Sequence, residues 1–205
     1  AVYQNKIYCI GGETGPGEMG AVIVTGANEV YDPATNTWEQ KATLPTPRNE
    51  MQANVVNEKI YVIGGTQCLG ILHHQSFNNN DVYDPENDSW STASALPVAS
   101  WSYASTVLDD KIYVVSGGAQ KGVNQIYDPL TNTWVSGAAI PSKFFSLGAT
   151  ASSTTGVFAP KRIYVMGGTT GGISAVSVNQ AYNPYDNSWS TVASMPTARY
   201  GHSVV

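Results

Sequence analysis

The sequence predicts an all-β fold that contains four sheets of four antiparallel strands each. Three observations support this prediction: an apolar run ending in glycine recurs four times, a turn motif with proline follows each run, and a second proline motif closes each unit. The isoleucines that mark the apolar runs are Ile7, Ile60, Ile112 and Ile163, which gives spacings of 53, 52 and 51 residues. Repetition at this period indicates an array of similar structural units.

Each apolar run has the composition of a β-strand. Isoleucine, valine and tyrosine favour a strand, and the glycines that follow provide backbone freedom where the strand ends. The four copies are KIYCIGG (6–12), KIYVIGG (59–65), KIYVVSG (111–117) and RIYVMGG (162–168). We expect the second strand of each sheet to occupy these segments.

The turn motif joins two further strands in each unit. A tyrosine ends the third strand, Asp or Asn followed by Pro forms a tight turn, and a tryptophan begins the fourth strand. The four copies are VYDPATNTW (30–38), VYDPENDSW (82–90), IYDPLTNTW (126–134) and AYNPYDNSW (181–189). We expect the aromatic residues to fill the space between sheets. They are Trp38, Trp90, Trp134 and Trp189, with Tyr8, Tyr61, Tyr113 and Tyr164.

The end of each unit supplies the remaining strand. Proline stops the fourth strand, because it donates no hydrogen bond to a ladder. The proline motifs are LPTPR (44–48), LPVAS (96–100), IPSKF (140–144) and MPTAR (195–199). A run of small residues follows, and we expect it to form the first and innermost strand of the next sheet.

This arrangement resembles kelch repeats, and the resemblance covers essentially the whole chain, four times over. It implies a kelch-type β-propeller over residues 1–205 as a single domain, with one blade for each unit. The predicted repeats are approximately 1–47, 48–99, 100–143 and 144–197. Residues 198–205 are expected to be the closing inner strand of the first blade. Two other arrangements stay open: a fragment of a larger propeller, and a chain whose last strand completes a neighbouring chain's blade.

The composition excludes several classes of function. Charged residues make up 12% of the 205 residues, and the net charge is −5 without a basic run. A nucleic-acid-binding surface is therefore not expected. No apolar stretch approaches the ~18 residues of a membrane span. Neutral polar residues in place of charged ones favour an extracellular or cell-surface location, and a cytoplasmic one stays open.

The glycine spacing at Gly15, Gly17 and Gly20 does not predict a dinucleotide cofactor. A G-x-G-x-x-G motif binds a dinucleotide where it opens a helix inside a βαβ unit. These glycines fall between two antiparallel strands, so we predict no cofactor. Cys9 and Cys68 occupy different phases of the repeat and are not expected to form a disulfide.

The predicted binding face carries long connections between the second and third strands. They run approximately over 13–28, 66–80 and 169–179, whereas the third repeat has a short connection. Unequal loops on one face of a rigid scaffold favour ligand binding there. The second connection contains the candidate loop-binding residues Cys68, His73 and His74. Adjacent histidines lack the spacing of a dedicated zinc site, so no metal is predicted.

A second group of candidate residues lies close to the closing prolines. Arg48 and Arg199 occupy corresponding positions, which Ser100 and Phe144 take in the other two repeats. The kelch resemblance implies that an arginine here reaches the central channel or ties blades together. Both interpretations stay open: a ligand-binding channel mouth, or structural ion pairs and carbonyl contacts. The candidates at the channel mouth are Arg48, Glu50, Trp101, Tyr103, Arg199 and His202.

Among the possible functions, a non-catalytic interaction module is favoured. The sequence lacks a coherent acid–base–nucleophile set, which favours binding of a protein, peptide or glycan on the long-loop face. The kelch resemblance also implies an enzyme alternative, because some kelch propellers are copper-radical oxidases and others are sialic-acid mutarotases. The cysteines and histidines do not match the oxidase pattern, whereas a mutarotase-like site is compatible with four of the channel-mouth residues, Arg48, Glu50, Arg199 and His202. A third alternative is a structural subunit of an extracellular assembly, self-associating through its terminal strands.

Overall fold

The computed structural model describes residues 1–16, 22–68, 74–117, 122–141, 150–157, 159–169 and 174–204. The chain divides into two compact units, Ala1–Trp101 and Ser102–Val205. The regular structure in both units consists of β-strands, which confirms the all-β fold class. Among the described residues, no helix has the length and apolar character that crossing a membrane requires.

The first unit contains two four-stranded antiparallel sheets and two short hairpins in its described residues. Its strands are β1 (Val2–Tyr3), β2 (Lys6–Ile10), β3 (Glu13–Pro16), β4 (Val22–Val24), β5 (Asn28–Asp32), β6 (Thr37–Gln40), β7 (Gln52–Val56), β8 (Lys59–Ile63), β9 (Thr66–Cys68), β10 (His74–Ser76), β11 (Asn80–Asp84) and β12 (Ser89–Thr92). The sheet orders are β1-β2-β5-β6 and β7-β8-β11-β12, and the hairpins are β3-β4 and β9-β10. Each sheet therefore takes its strands from one contiguous segment.

The described part of the second unit contains two further sheets of the same design. Its strands are β13 (Ala104–Leu108), β14 (Lys111–Val115), β15 (Asn124–Asp128), β16 (Thr133–Ser136), β17 (Thr150–Thr154), β18 (Arg162–Met166), β19 (Asn179–Asn183) and β20 (Ser188–Val192). They pair in chain order within each sheet, β13-β14-β15-β16 and β17-β18-β19-β20. The second, third and fourth strands lie where the repeat motifs predict them.

Side-chain hydrogen bonds and backbone conformation fix the turn between the third and fourth strands. In the first sheet, Asp32 Oδ1 accepts a hydrogen bond from the Ala34 amide at 2.9 Å. The residue two places before each tryptophan has a left-handed backbone, with φ between 46° and 55°. These residues are Asn36, Asp88, Asn132 and Asn187. Asn and Asp tolerate this conformation better than other residues with a Cβ, which explains their recurrence there.

A basic residue at the start of the second strand is bonded to the same turn. The pairs are Lys6–Asp32 at 3.2 Å, Lys59–Asp84 at 2.8 Å, Lys111–Asp128 at 2.5 Å and Arg162–Asn183 at 3.1 Å. A hydrogen bond from Lys59 is the main reason that the pKa of Asp84 falls to about 2. These pairs explain why Lys or Arg begins each apolar run and Asp or Asn begins each turn.

Aromatic residues form the core between the two sheets of each unit. In the first unit, Tyr8, Ile60 and Tyr83 are buried together, and the rings of Tyr8 and Tyr83 lie 6.1 Å apart. In the second unit, the rings of Tyr113 and Tyr182 lie at the same distance of 6.1 Å. Burial raises the pKa of Tyr113 to about 12. The predicted packing role is confirmed for Tyr8 and Tyr113, and Tyr83 and Tyr182 are the residues they pack against.

Polar side chains of the second sheet hold the backbone of Ala42, a residue of the linker that follows the first sheet. Tyr83 Oη donates to Asp88 Oδ1 at 2.6 Å, and the Ala42 amide donates to the same oxygen at 2.7 Å. Trp90 Nε1 donates to the Ala42 carbonyl at 2.7 Å. This arrangement, a tyrosine, an Asp or Asn and a tryptophan, is referred to below as the Tyr-Asx-Trp clasp.

The second unit contains an equivalent Tyr-Asx-Trp clasp, which holds the backbone of Ala138. Tyr182 Oη donates to Asn187 Oδ1 at 2.8 Å, and the Ala138 amide donates to that oxygen at 2.5 Å. Trp189 Nε1 donates to the Ala138 carbonyl at 2.7 Å. The turn motif therefore also fixes how one sheet packs on the sheet before it.

Trp38 does not follow the predicted packing of the tryptophans. Its side chain is 59% exposed, whereas Trp90, Trp134 and Trp189 are half-buried. The prediction that all four tryptophans fill the space between sheets is therefore wrong for Trp38. The first sheet carries the turn motif, but the tryptophan of that motif is exposed.

The clasp of the first unit is expected to make stability depend on pH. The hydrogen bond from Tyr83, and then that from the Ala42 amide, hold the pKa of Asp88 below its usual value. A carboxyl whose pKa is lower in the folded state stabilises the fold above its unfolded pKa near 4, and that stabilisation is lost as pH falls through the folded pKa. The substitution Asp88→Asn, which copies Asn187, should remove this contribution.

Urea unfolding of the wild type and of Asp88→Asn between about pH 6 and pH 2 checks this expectation. The difference in unfolding free energy between the two proteins should shrink toward acid pH, because only the wild type loses the ionised Asp88. Two curves that stay parallel over this range would contradict the assignment.

The predicted closing strand at the C-terminus is not assigned as a strand. The described residues 198–204 carry no strand assignment, and the first strand of the first sheet is the two-residue β1. β1 pairs with β2 through Val2–Ile7 and Tyr3–Lys6. Completion of the first sheet by residues 198–205 stays a prediction, as does the single-domain organisation over residues 1–205.

Candidate functional site

The long connections of the first unit fold as β-hairpins rather than as irregular loops. Glu13 pairs with Val24 across β3 and β4, and Ser76 pairs with Thr66 across β9 and β10. β4 also contacts β9. The two hairpins therefore lie against each other, and together they are called the hairpin end of the first unit.

The linker between the two sheets of the first unit, residues 41–51, anchors both hairpins. Asn49 Nδ2 donates to Glu13 Oε2 at 2.9 Å. The amides of Asn49 and Thr66 each donate to the carbonyl of the other at 2.9 Å, and both residues are buried. The hairpin bases are thus bonded to a buried point of the linker. Glu50 follows directly and is exposed, with a left-handed φ of 55°.

Gly65 permits this close approach of linker and hairpin. Its φ is 102°, and a Cβ at this position would lie 2.8 Å from the carbonyl oxygen of Asn49. Glycine adopts this backbone without strain and leaves the space that the linker occupies. The glycine pair therefore ends the strand, as predicted, and also brings the linker against the hairpin base.

Arg48 is a buried residue with bonds to the surrounding protein. Its side chain is 0% exposed, and its Nη1 lies 2.8 Å from Oδ2 of the buried Asp81. Nε donates to the Gly64 carbonyl at 2.6 Å, and Nη2 donates to the Val62 carbonyl at 3.0 Å. Nη1 also donates to the Thr46 carbonyl at 2.8 Å. Of the two interpretations of Arg48, these contacts favour the structural one.

Arg199, at the corresponding position of the second unit, has a different environment. It is exposed, its Nε donates to the Thr197 carbonyl at 3.4 Å, and its carbonyl accepts from the Gly168 amide at 3.0 Å. Desolvation, and then the charge of Arg199, lower the pKa of the half-buried His202. A Cβ on Gly167 would lie 2.5 Å from both the Arg199 carbonyl oxygen and His202 Cε1. The structure thus brings Arg199 and His202 together.

The remaining predicted site residues differ in exposure. Trp101 is half-buried in the first unit, and Tyr103 is buried in the second unit, so its ring does not face solvent. Cys68 and His74 are Cα partners across β9 and β10, which places them in a hairpin rather than the predicted loop. Within the described residues, no three His, Cys, Asp or Glu side chains are grouped as a metal site would require.

Some residues singled out in the sequence lie outside the described part of the chain. They are Gly17, Gly20, His73 and Phe144. Gly15 lies in β3 and pairs with Ile23 of the antiparallel strand β4. The glycine spacing therefore begins in a hairpin, as expected, and not at the start of a helix.

The contacts at the hairpin end differ in how far they can be predicted from the sequence. Glu13 and Asn49 belong to no repeated motif, so the repeat pattern carries no indication that they meet. For Asp81 the sequence does indicate a contact, because a charged residue in a strand that is expected to be buried needs a partner. The arginine of the preceding proline motif, Arg48, is that partner at 2.8 Å.

Comparisons with known proteins identify the family of this chain. Residues 1–205 match the family described as the KLHDC2/KLHL20/DRC7 Kelch-repeats domain. Kelch-like protein 15 of Homo sapiens is 27% identical over 221 residues, which cover 100% of this chain and 36% of that protein. Kelch-like protein terF of Aspergillus terreus is 26% identical over 209 residues, which cover 98% of this chain and 45% of that protein. The chain spans less than half the length of both relatives.

A solved structure supports the same fold. The protein described as "Structure of YjhT" superposes with a TM-score of 0.73 at 18% identity, covering 98% of this chain and 66% of that one. A likeness at this level of identity concerns the fold alone. The family match and the four-stranded antiparallel sheets lead to one conclusion: this chain belongs to the kelch-repeat family, and its sheets are the blades of a kelch-type β-propeller fold.

Proposed function

We propose that this chain is a non-catalytic kelch interaction module that binds a protein or peptide partner at the hairpin end of its first unit. The observation that carries the proposal is the pair of contacting hairpins, both anchored to the buried residue Asn49. Segments that project from a rigid scaffold are the usual place for binding residues. The match to kelch-like proteins supports an interaction role for the repeat domain.

The exposed side chains at the hairpin end favour a partner with apolar and basic groups. Ile23 of β4 is 53% exposed. The acidic residue Glu13 lies on the same hairpin, and Glu50 lies on the linker that anchors this hairpin. An exposed apolar residue and acidic residues on the same end of a unit provide both buried area and charge complementarity for a basic peptide. Gln75 and Ser76 of the neighbouring hairpin are also exposed and offer polar groups.

Peptides selected from a displayed random library on the whole chain test this proposal. Ile23→Ser should weaken the selected peptides about tenfold or more, which corresponds to about 1.4 kcal/mol of binding free energy. Leu130→Ser, a change at an 89% exposed residue in a turn of the second unit, is the matched control and should leave affinity unchanged. Equal affinity for both variants, or selection of no peptide, would overturn the proposal.

A second candidate function rests on the proximity of Arg199 and His202. A cationic side chain beside a histidine of lowered pKa suits an anionic sugar, which is the mutarotase-like alternative. Exchange between the anomers of sialic acid, followed by NMR, tests it. Acceleration by the wild type that Arg199→Ala abolishes would favour this alternative, and the absence of acceleration would remove it. A glycan-binding role would instead appear as binding on a glycan array that is sensitive to Ile23→Ser.

A further inference from the structure

A groove lies between the two sheets of the first unit, at the end of the sheets opposite to the hairpins. The first sheet lines it with residues that include Tyr3, Tyr8 and Lys41, and the second sheet lines it with residues that include Glu58 and Glu86. Those two glutamates lie in the turns β7–β8 and β11–β12, whereas the hairpins follow the opposite ends of β2 and β8. The volume of about 450 Å³ falls within the ~300–1,000 Å³ that is usual for ligand sites. This cavity is called the turn-end groove.

Two carboxylates of the turn-end groove lack a cation. Glu58 and Glu86 are exposed, and neither makes an ion pair with a residue that the structure describes. The lysines at the groove each have another carboxylate as partner: Lys6–Asp32 at 3.2 Å, Lys41–Glu39 at 2.5 Å and Lys59–Asp84 at 2.8 Å. The second-sheet side of the groove therefore has an excess of negative charge, which favours a cationic ligand.

A buried hydroxyl also lines the turn-end groove. Tyr8 is 7% exposed, and its Oη makes no hydrogen bond within the described part of the chain. Burial raises the pKa of this hydroxyl, and the charges of Lys6 and then Lys41, both groove residues, act against that rise. Buried polar groups ordinarily have a hydrogen-bond partner, so this one favours a ligand that supplies a polar group of its own.

The second unit provides an ammonium group at the corresponding place between its own two sheets. Lys161, directly before β18, has its Nζ 2.8 Å from Oδ1 of Asp109, which follows β13. The same Nζ lies 5.8 Å from the centroid of the Tyr185 ring. A carboxylate on one sheet and an aromatic ring on the other thus hold a lysine ammonium group at the turn end of this unit.

In the first unit, carboxylates take the places of this lysine and of its aromatic neighbour. Glu58 directly precedes β8 as Lys161 precedes β18, and Glu86 has the position of Tyr185 in the turn motif. Gln4, which has no charge, corresponds to Asp109. The first unit therefore lines the equivalent place with two carboxylates and supplies no ammonium group from the same repeat position.

We propose that the turn-end groove binds a lysine side chain within a peptide segment of a protein partner. Glu58 and Glu86 accept charge-assisted hydrogen bonds from the ammonium group, which takes the place that Lys161 Nζ has in the second unit. The aliphatic stem of the bound lysine packs against the half-buried ring of Tyr3. Tyr8 Oη bonds a peptide group next to that lysine. The site uses neither hairpin of the proposed binding end and stands independently of it.

Titration of the isotope-labelled chain with a blocked peptide of three lysines, followed by amide chemical shifts, tests this proposal. The wild type should show saturable shifts at Gln4, Glu58 and Glu86. Glu58→Gln should weaken binding about tenfold, because it removes one charged acceptor. Glu58→Lys copies Lys161 and should abolish binding. Both substitutions are at an exposed turn residue, so the fold should persist, which circular dichroism verifies.

The matched control is Asp110→Asn. Asp110 occupies the repeat position of Glu58 in the third sheet, and both are exposed residues with a left-handed backbone, with φ of 55° and 63°. The control removes one carboxylate from an equivalent turn and should leave the affinity unchanged. Ile23→Ser should also leave it unchanged, which separates this site from the hairpin end.

Two further ligands identify the group that is recognised. The same peptide with Nε-acetylated lysines has no ammonium group and should bind at least about tenfold more weakly. Free cadaverine has the lysine stem and ammonium group without a peptide backbone and should also bind more weakly than the peptide. Cadaverine that binds as tightly as the peptide would overturn the assignment to a peptide segment.

Three other results would each overturn the proposal. They are the absence of saturation by the wild type at millimolar peptide, equal affinity for the acetylated peptide, and equal weakening by Glu58→Gln and Asp110→Asn. The last result would mean that the peptide responds only to the overall negative charge of the chain.

Discussion

Arg48→Ala is expected to lower the unfolding free energy by about 3–5 kcal/mol, the cost of breaking a buried ion pair by removing one partner. The substitution leaves the carboxylate of Asp81 buried without its guanidinium, and it also removes the donors to the carbonyls of Gly64 and Val62. Uncompensated buried charge and unsatisfied carbonyls both oppose folding. Urea unfolding followed by tryptophan fluorescence measures the loss.

Arg199→Ala is the matched control for this prediction. Arg199 occupies the same repeat position but is exposed, and its Nε bonds one carbonyl at 3.4 Å. Its removal should change stability by less than about 0.5 kcal/mol, as for most surface substitutions. A loss of similar size for both arginines would contradict the structural role assigned to Arg48.

The double variant Arg48→Ala/Asp81→Ala separates the two sources of the loss. Removing Asp81 eliminates the orphaned charge, so part of the stability should return, whereas the carbonyls of Gly64 and Val62 stay without their donors. Full recovery would mean that the ion pair alone accounts for the effect. No recovery would mean that the carbonyl bonds of Arg48 account for it.

Trp90→Ala is expected to cost about 3 kcal/mol, the lower end of the range for truncating a buried aromatic residue, because Trp90 is half-buried. The ring packs 5.0 Å from that of Tyr83, and its Nε1 donates to the Ala42 carbonyl. Alanine loses both the packing and the hydrogen bond between the two sheets. Trp90→Phe keeps most of the packing and should cost about 1 kcal/mol.

Trp38→Ala provides the comparison, since Trp38 has the same place in the first sheet's turn motif but is 59% exposed. The loss for Trp38→Ala should stay below about 1 kcal/mol. Equal losses for Trp38→Ala and Trp90→Ala would mean that contact with the neighbouring sheet contributes nothing measurable to stability.

The strands and turns could be predicted from the sequence because their causes are local and repeated. Apolar runs, glycine pairs and a turn with Asp-Pro or Asn-Pro recur in all four units, so each unit supports the interpretation of the others. The turn chemistry of Asp32 and the left-handed residue Asn36 follows from the side chains themselves. Repetition also predicts where Tyr8 and Tyr113 pack, because these tyrosines occupy the same position of the repeat and face equivalent residues of the next sheet.

The site was predicted less well because its contacts occur once. The pairing of Asn49 with Glu13 joins two segments that carry no repeated motif. The hairpins were expected as loops, since polar residues with interspersed glycines give a weak strand pattern. The exposure of Trp38 could not be inferred from the repeat either, because a repeat predicts an average environment, and the first unit departs from it.

The contiguous origin of each sheet has a consequence for how such chains change over evolutionary time. Each four-stranded ladder closes within one segment of the sequence, so duplication or deletion of a whole repeat breaks no ladder hydrogen bond. Packing of one sheet on the next uses a small residue after the fourth strand of one sheet and the Asx-x-Trp sequence in the turn of the other. A duplicated unit contains both features. Gene duplication can therefore lengthen or shorten the array in whole units, while insertions are confined to connections such as the hairpins between β2 and β5 and between β8 and β11.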